Sequence, residues 1–284
     1  MKTNINKIKV YDPGEKELLD EVSEGLGKSQ KELPSKLFYD KKGSELFDEI
    51  CNLDEYYLTR TENSIMRDNI KSICSELGDN CLLIELGSGS SVKIRLLLDN
   101  LRKPAAYVPI DISEEHLMHS VAALAEEYPG LRILPVSADY TQPFDFPDFN
   151  FGYSNKVIYY PGSTIGNFSP EYAGSFLKNI AAMAGRGSGL LIGVDLKKDP
   201  DILDSAYNDS RGVTAEFNLN ILERLNREVG ADFDTSRWKH HAFYNEEEGR
   251  IEMHLVSASD QRVRLNGSRI GFRKGETILT EYSY

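Results

Sequence analysis

The stretch CLLIELGSGSS (Cys81–Ser91) is an apolar run that carries an acid, Glu85, and passes directly into Gly87 and Gly89. Two glycines after such a run let the backbone turn tightly and approach a ligand with no Cβ in the way, as in the βα turn of a nucleotide site. Downstream, AAYVPID ends on Asp111, near the spacing at which a carboxylate meets the ribose hydroxyls of an adenosine ligand. SADY then brings Asp139 and Tyr140, a carboxylate able to accept the adenine amino group and a ring able to lie against the base. YYPGSTIGNF adds one amide, Asn167, at the place where transferases meet their acceptor. Taken singly, Asp and Asn are ordinary turn residues. Set at the ends of successive strands of one sheet, they form a candidate site.

The dinucleotide fingerprint is broken, because GxGxxG wants glycine where this chain has Val92. A ligand without a pyrophosphate makes weaker demands, which suits S-adenosylmethionine better than NAD; a purely structural glycine turn is the third reading.

These residues need a scaffold, and the pattern supplies one. Apolar runs predict strands at Leu82–Leu86, Ala106–Asp111, Leu131–Val136, Lys156–Tyr160 and Gly189–Leu196. Helical periodicity places helices between them at Val92–Leu101, Glu114–Tyr128 and Pro170–Ala184, with Glu15–Gly27, Ser44–Ile50 and Glu62–Leu77 before the first strand. Strands alternating with helices imply an α/β fold, a Rossmann-like doubly wound parallel sheet with ligands at the carboxyl ends of its strands. After Lys197 the character changes. Two more helices, Ile202–Asn208 and Thr214–Val229, lead into HHAFYNEEEGRIEMHLVSASDQRVRL, whose period-2 alternation about Glu248–Gly249 predicts an antiparallel hairpin with Glu246–Glu248 as a solvated tip. The domain reading is therefore residues 61–196 for the cofactor, and 1–60 plus 197–284 as a smaller, discontinuous α+β substrate-binding domain. A cleft between two such modules is the expected substrate position.

Composition narrows the classes. A chain of 284 residues, 40% hydrophobic, can bury a sizeable core. A net charge of −12 opposes nucleic acid or an anionic membrane as partner, leaving a small molecule as the expected one. The start, MKTNINKIKV, has no apolar core to make a signal peptide and no run approaches the length of a transmembrane helix, so a cytoplasmic protein is expected, and a monomer. Cys51, Cys74 and Cys81 have neither disulfide nor zinc spacing. His116 and His119 lack a third ligand, and the adjacent His240 and His241 point to opposite faces of a strand, so no metal is expected. Trp238 reads as a core or hinge residue.

Beyond these signals, LFYDKKGSELFDEICNLDEYYLTRTE (Leu37–Glu62), LIELGSGSSVK, GSTIGNF, AYNDSRGVTAEFNLNIL, RIEMHL and LTEYSY resemble the histidine Nα-methyltransferases of ergothioneine biosynthesis, over almost the whole chain. The resemblance implies trimethylation of the α-amine of L-histidine to hercynine with S-adenosylmethionine. It implies cofactor contacts from Gly87, Lys93, Asp111, Asp139 and Tyr140. In the acceptor site it implies Tyr56, Asn167 and Tyr207 around the amine and carboxylate, Tyr39 and Phe47 near the reacting end, Glu281 and Ser283 on the imidazole, and Met253 as a wall. Tyr39, Tyr56 and Asn167 are the expected catalytic group. A methyltransferase of another amino acid or small amine, or a non-catalytic S-adenosylmethionine-binding relative, are the alternatives. Chains of the family continue past the LTExS motif with strands that complete the methyltransferase sheet, so those strands are expected to be missing from a sequence that stops at Tyr284.

Overall fold

A computed structural model describes residues 8–11, 14–89, 92–142, 144, 146 and 149–284. In chain order the elements are β1 (Lys9–Tyr11), α1 (Gly14–Gly27), β2 (Lys31–Glu32), α2 (Lys41–Ile50), α3 (Tyr57–Leu77), β3 (Leu82–Leu86), α4 (Val92–Leu98), β4 (Ala106–Asp111), α5 (Glu114–Glu127), β5 (Val136–Ala138), β6 (Lys156–Tyr160), α6 (Pro170–Ala184), β7 (Gly189–Ile192), α7 (Pro200–Tyr207), α8 (Val213–Glu228), β8 (Trp238–Asn245), β9 (Arg250–Ser257), β10 (Gln261–Leu265), β11 (Ser268–Phe272) and β12 (Thr277–Ser283). They divide into two compact units: Leu58–Val194 with the described part of Met1–Asp12, and the described part of Pro13–Tyr57 with Asp195–Tyr284.

The first unit is the expected doubly wound fold. Its six strands lie in the order β1-β5-β4-β3-β6-β7, every pairing parallel. Successive side chains of a strand point to opposite faces. Leu83, Tyr107 and Val157 therefore pack under Met66 of α3, Ile94 and Leu97 of α4, and Leu117, Val121 and Leu124 of α5. Leu82, Ile84, Leu86, Val108 and Ile110 face the other way, toward Phe176 and Ile180 of α6. Strand order reverses at β3, whose neighbours are β4 and β6. A crevice at the carboxyl ends of strands on either side of such a reversal is where this architecture takes ligands.

Three expectations are corrected by this sheet. The first 60 residues do not all lie outside it, because Lys9–Tyr11 pairs with Val136–Ala138 along its edge. The predicted strand Leu131–Val136 is displaced: only Ile133 makes a bridge, to Tyr107, and the regular strand begins at Val136. Pro135 has no N–H to continue a ladder, so the chain restarts its pairing after it. The strand predicted to reach Leu196 ends at Ile192, before Gly193.

In the second unit a four-stranded sheet runs β2-β12-β9-β8, and β10 and β11 form a separate hairpin. The β8–β9 pair is the predicted hairpin, with Glu246, Glu247 and Glu248 exposed at its tip. Trp238 is buried against Phe272 and Phe233, a core residue. Helix α8 lies against the sheet and α2, burying Phe217, Ile221, Leu222 and Leu225. Its entry is fixed by Asp209, whose carboxylate accepts from the N–H groups of Val213 (2.9 Å) and Thr214 (2.7 Å), donors that a helix start leaves unpaired.

Candidate active site

The glycine turn of the first unit is held by the strand beside it. The N–H groups of Gly87 and Ser88 donate to the carbonyl of Ile110, at 2.8 and 3.1 Å. Gly87 has φ +72° and Gly89 φ +48°, the left-handed region that a side chain disfavours. Ser90 and Ser91 lie outside the described residues. Asp111, buried at the end of β4, accepts from the N–H of Gly89 with one oxygen and from that of Ser113 with the other, both at 3.0 Å. Burial pushes its carboxyl up from the usual range, while these backbone bonds oppose the shift. Tyr140 lies over the turn, its hydroxyl 3.6 Å from the position a Cβ on Gly87 would take, with its ring against Tyr160 and Phe176. Asp139 is buried and accepts from the N–H of Thr141 at 2.9 Å, so part of its capacity goes to shaping its own loop.

Lys93 has a partner that the sequence does not announce. Its ammonium forms an ion pair with Glu62 of α3, and the other Glu62 oxygen accepts from the N–H of Gly162 at 2.8 Å. Glu85 sits nearby, fully enclosed and accepting from the Tyr107 hydroxyl; burial pushes its carboxyl up to about 8. Asn167 closes a short helical turn, Thr164–Asn167, that follows β6 and begins at Ser163, a non-glycine residue with φ +57°.

In the second unit the structure gathers the remaining candidates. Tyr39 meets Phe47 edge-on with centroids 5.7 Å apart, Phe47 meets Tyr56 at 6.3 Å, and Tyr56 meets Tyr207 at 6.2 Å. Phe217 packs behind Tyr39 and Phe47, at 5.9 Å from each. The Tyr207 hydroxyl is hydrogen-bonded with Ser283 and feels the charge of Glu281. Glu281 stands opposite Met253 in the β12–β9 ladder, and Ser283 opposite Ile251. Tyr39, Phe47, Tyr56, Tyr207, Met253, Glu281 and Ser283 thus share one aromatic-walled cluster. Burial raises the phenols of Tyr56 and Tyr207 well above their ordinary value and pushes the Glu281 carboxyl up to about 8. Both phenols are neutral hydrogen-bonding groups at any working pH.

Local chemistry explains how the chain delivers these side chains. Asp40 accepts from the N–H of Gly43 at 2.7 Å, capping α2 and fixing Tyr39 just before it. Gly43 tolerates no side chain: a Cβ there would fall 1.6 Å from the carbonyl oxygen of Phe38.

A family model described as histidine-specific methyltransferase, SAM-dependent, matches residues 18–284. The chain belongs to that family. The histidine N-alpha-methyltransferase of Mycolicibacterium smegmatis is 41% identical over 269 residues, covering 93% of this chain and 82% of that one. The enzyme of the same name from Mycobacterium tuberculosis is 41% identical over 277 residues, covering 96% and 85%. Ergothioneine biosynthesis protein 1 of Neurospora crassa is 32% identical over 258 residues, 84% of this chain and 29% of that longer protein.

The first unit fits the family's co-substrate, S-adenosylmethionine. Among the described residues, the Ser88 hydroxyl is buried at the turn with no partner, and no atom is found within 4 Å of the space a Cβ on Gly89 would enter. Asp111 keeps lone pairs beyond the two it uses, enough to accept from a diol. The Gly89 N–H is already committed to Asp111, so the turn does not offer that donor to a phosphate, which separates it from a dinucleotide site. Among the described residues no group of His, Cys, Asp and Glu gathers to hold a metal, and no helix is long and apolar enough to cross a membrane.

Several participants escape a sequence reading. Tyr57, whose hydroxyl donates to Asp195, is hidden beside the more suggestive Tyr56. Glu62 reads as a helix residue until the fold brings Gly162 to it. His240 cannot chelate together with its neighbour His241; its ring instead lies 2.8 Å from the Tyr207 carbonyl. No spacing rule pairs those residues.

Proposed function

We propose that this protein transfers methyl groups from S-adenosylmethionine to the α-amine of L-histidine, proceeding to the trimethylated betaine, hercynine. Residues 58–194 are assigned to the co-substrate, through Gly87, Asp111, Asp139 and Tyr140, with Lys93 acting beside them from its ion pair with Glu62. Residues 14–57 and 195–284 are assigned to the amino acid. The observation that carries the reading is the convergence of Glu281, Ser283, Met253 and Tyr207 with the Tyr39–Phe47–Tyr56 wall, in a chain of the histidine-specific family.

When bound, S-adenosylmethionine supplies a methyl group on a sulfonium, open to in-line displacement by a nucleophile. The chain's own residues have three tasks. The first is alignment, since an amine held in a near-attack geometry gains most of what such a reaction needs. Tyr56 and Tyr207 are assigned to the amine and carboxylate as hydrogen-bonding groups. The second is to favour the free lone pair: an aromatic, poorly hydrated wall disfavours the ammonium form. The raised phenols do not take that proton, and it leaves to water. The third is to tolerate the product, whose quaternary ammonium is attracted to the faces of Tyr39 and Tyr56. Selectivity falls to Glu281, a carboxyl able to share one proton with an imidazole ring. A small-molecule acceptor and a monomeric, cytoplasmic enzyme complete the proposal.

Incubation with S-adenosylmethionine and a mixture of the common amino acids, followed by mass spectrometry, tests it. Successive mono-, di- and trimethylated histidine is the expected result. Methylation of a different amino acid with histidine untouched overturns the acceptor assignment, and cofactor binding without any transfer overturns the reaction.

A further inference from the structure

One buried amide joins the two polar sides of the Glu281 cluster from behind. Asn218 of α8 is completely enclosed. Its Nδ2 lies 2.9 Å from Nδ1 of His240 and donates to the His254 carbonyl at 3.1 Å; its Oδ1 accepts from the Thr280 hydroxyl at 2.7 Å. Each hydrogen of the amide has an acceptor and its oxygen has a donor, so the amide has one satisfactory orientation. That orientation fixes the next ring as well. An NH2 group facing Nδ1 makes that nitrogen the acceptor, which leaves the His240 proton on Nε2, where it donates to the Tyr207 carbonyl at 2.8 Å.

The other arm ends at a defect in the sheet. Leu279 is registered opposite His254 and Glu281 opposite Met253, so Thr280 is an extra residue with no partner position of its own. A β-bulge of this kind leaves the ladder locally unpaired and re-aims the side chains beside it. Here the bulged residue is buried, and its hydroxyl reaches Asn218 and lies 3.1 Å from the Met253 carbonyl. Glu281 follows directly.

We propose that Asn218 is a positioning residue, which sets Tyr207 through His240 and Glu281 through the Thr280 bulge, and so fixes the spacing of the two groups that grip the amino acid. This deepens the histidine reading and rests on it for the identity of the ligand. The bulge gives the β12–β9 ladder a means of aiming its glutamate: a sheet alone fixes which face it takes, whereas the hydroxyl–amide bond fixes the twist with which it leaves the strand. Asn218 and Thr280 are buried within the second unit, and the network is assigned a role through Tyr207 and Glu281 rather than by contact with the ligand.

The test uses the full chain and cuts the arms separately. Thr280→Val removes the hydroxyl at nearly constant volume, Thr280→Ser keeps it, and His240→Leu cuts the other arm. Thr280→Val and His240→Leu are each expected to raise KM for histidine about tenfold, the loss of one buried hydrogen bond. S-adenosylmethionine affinity is expected to stay within about twofold, and Thr280→Ser to recover most of the histidine KM. A role in folding alone would weaken both ligands together and would not be rescued selectively. A second readout needs no substrate: the Glu281 carboxyl, followed by carbon NMR against Glu281→Gln as the assignment control, is expected to titrate lower in Thr280→Val than in the native chain and unchanged in Thr280→Ser. Unchanged histidine KM together with unchanged Glu281 titration in Thr280→Val overturns the proposal. A native chain that leaves histidine unmethylated, yet shows the Glu281 shift in Thr280→Val, overturns the histidine reading while the positioning of Glu281 stands.

Discussion

On the proposed reading, replacing Glu281 by Gln is expected to change how histidine binding depends on pH, by an amount the site itself sets. Burial pushes the Glu281 carboxyl up to about 8, so before the amino acid arrives it holds its proton at pH 7. A free imidazole, with a pKa of about 6.5, is mostly neutral there. Joining the two leaves one proton shared between carboxylate and ring. Between about pH 6.5 and the carboxyl's own value, binding then neither takes up nor releases a proton. Above 8 the empty site has lost its proton and the free ring has none, so binding must take one up and affinity falls about tenfold per pH unit. The Glu281→Gln variant holds no titrating proton and lacks this limb entirely. The α-amine titrates in free histidine whichever protein is used, and cancels when the two are compared. From pH 7 to pH 9.5 the ratio of native to variant Kd is therefore expected to rise about thirtyfold. Calorimetry in two buffers of different ionisation enthalpy counts the protons directly, and native protein is expected to take up close to one more than the variant at the alkaline end. A ratio that stays flat over that range refutes the reasoning, since a shared proton cannot be present without it.

Three further outcomes are expected. Asp111→Ala leaves the Gly89 and Ser113 N–H groups without their acceptor and is expected to weaken S-adenosylmethionine binding about tenfold or more, with histidine Kd within about twofold by calorimetry; equal loss of both counts against the assignment. Glu85, pushed up to about 8 from an ordinary 4.5, contributes stability that is complete below pH 4.5 and is lost as pH rises through 8. Glu85→Gln removes that decline, so its unfolding free energy in urea is expected to gain on the native chain from pH 5 and to level off above 8, by at most about 1.4 kcal/mol per pH unit, and parallel profiles would show that Glu85 ionises normally. Gly43→Ala forces a Cβ onto the Phe38 carbonyl and is expected to cost roughly 3 kcal/mol or more in chemical denaturation, with a cost under about 1 kcal/mol showing that the turn simply opens.

Much of this was legible from residue order because the relevant physics is local. Apolar runs of strand length bounded by glycine and helical periods identify β3, β4, β6 and the helices between them, and a parallel sheet follows from their alternation. The densest block, Tyr39–Glu62, turns out to mix two kinds of constraint that look alike in a sequence. Tyr39, Phe47 and Tyr56 wall the cluster, whereas Asp40 caps a helix, Gly43 yields to a carbonyl, and Glu55 accepts from the N–H and hydroxyl of Ser210. Residue type alone does not separate an aromatic wall from the glycine that allows it. What stayed hidden is long-range. Strand β1 is too short and half-exposed to announce that it joins β5, and Pro135 moves that strand by breaking a ladder whose partner the sequence does not name. The Asn266–Gly267 pair between β10 and β11, with φ +46° and +78°, was a readable hairpin turn. By contrast, the Asn218–His240–Thr280 links join three elements through side chains with no periodic signature.

The parallel pairing of β2 with β12 has a consequence for how the protein is made. Gln30 donates to the Thr277 carbonyl across 247 positions of chain, and Lys31 pairs with Glu276 across 245. At a synthesis rate of about 5–20 residues per second, the early half of the second unit waits on the order of tens of seconds at the ribosome for its partner strand. Phe38, Leu46 and Ile50, buried in the finished protein, wait nearly as long for α8, which packs on their segment. Strands β3 to β7, in contrast, emerge as one contiguous stretch. On the proposed assignment, a nascent chain completes the S-adenosylmethionine side before the histidine side, and the segment that carries Tyr39 and Tyr56 is uncovered in the meantime.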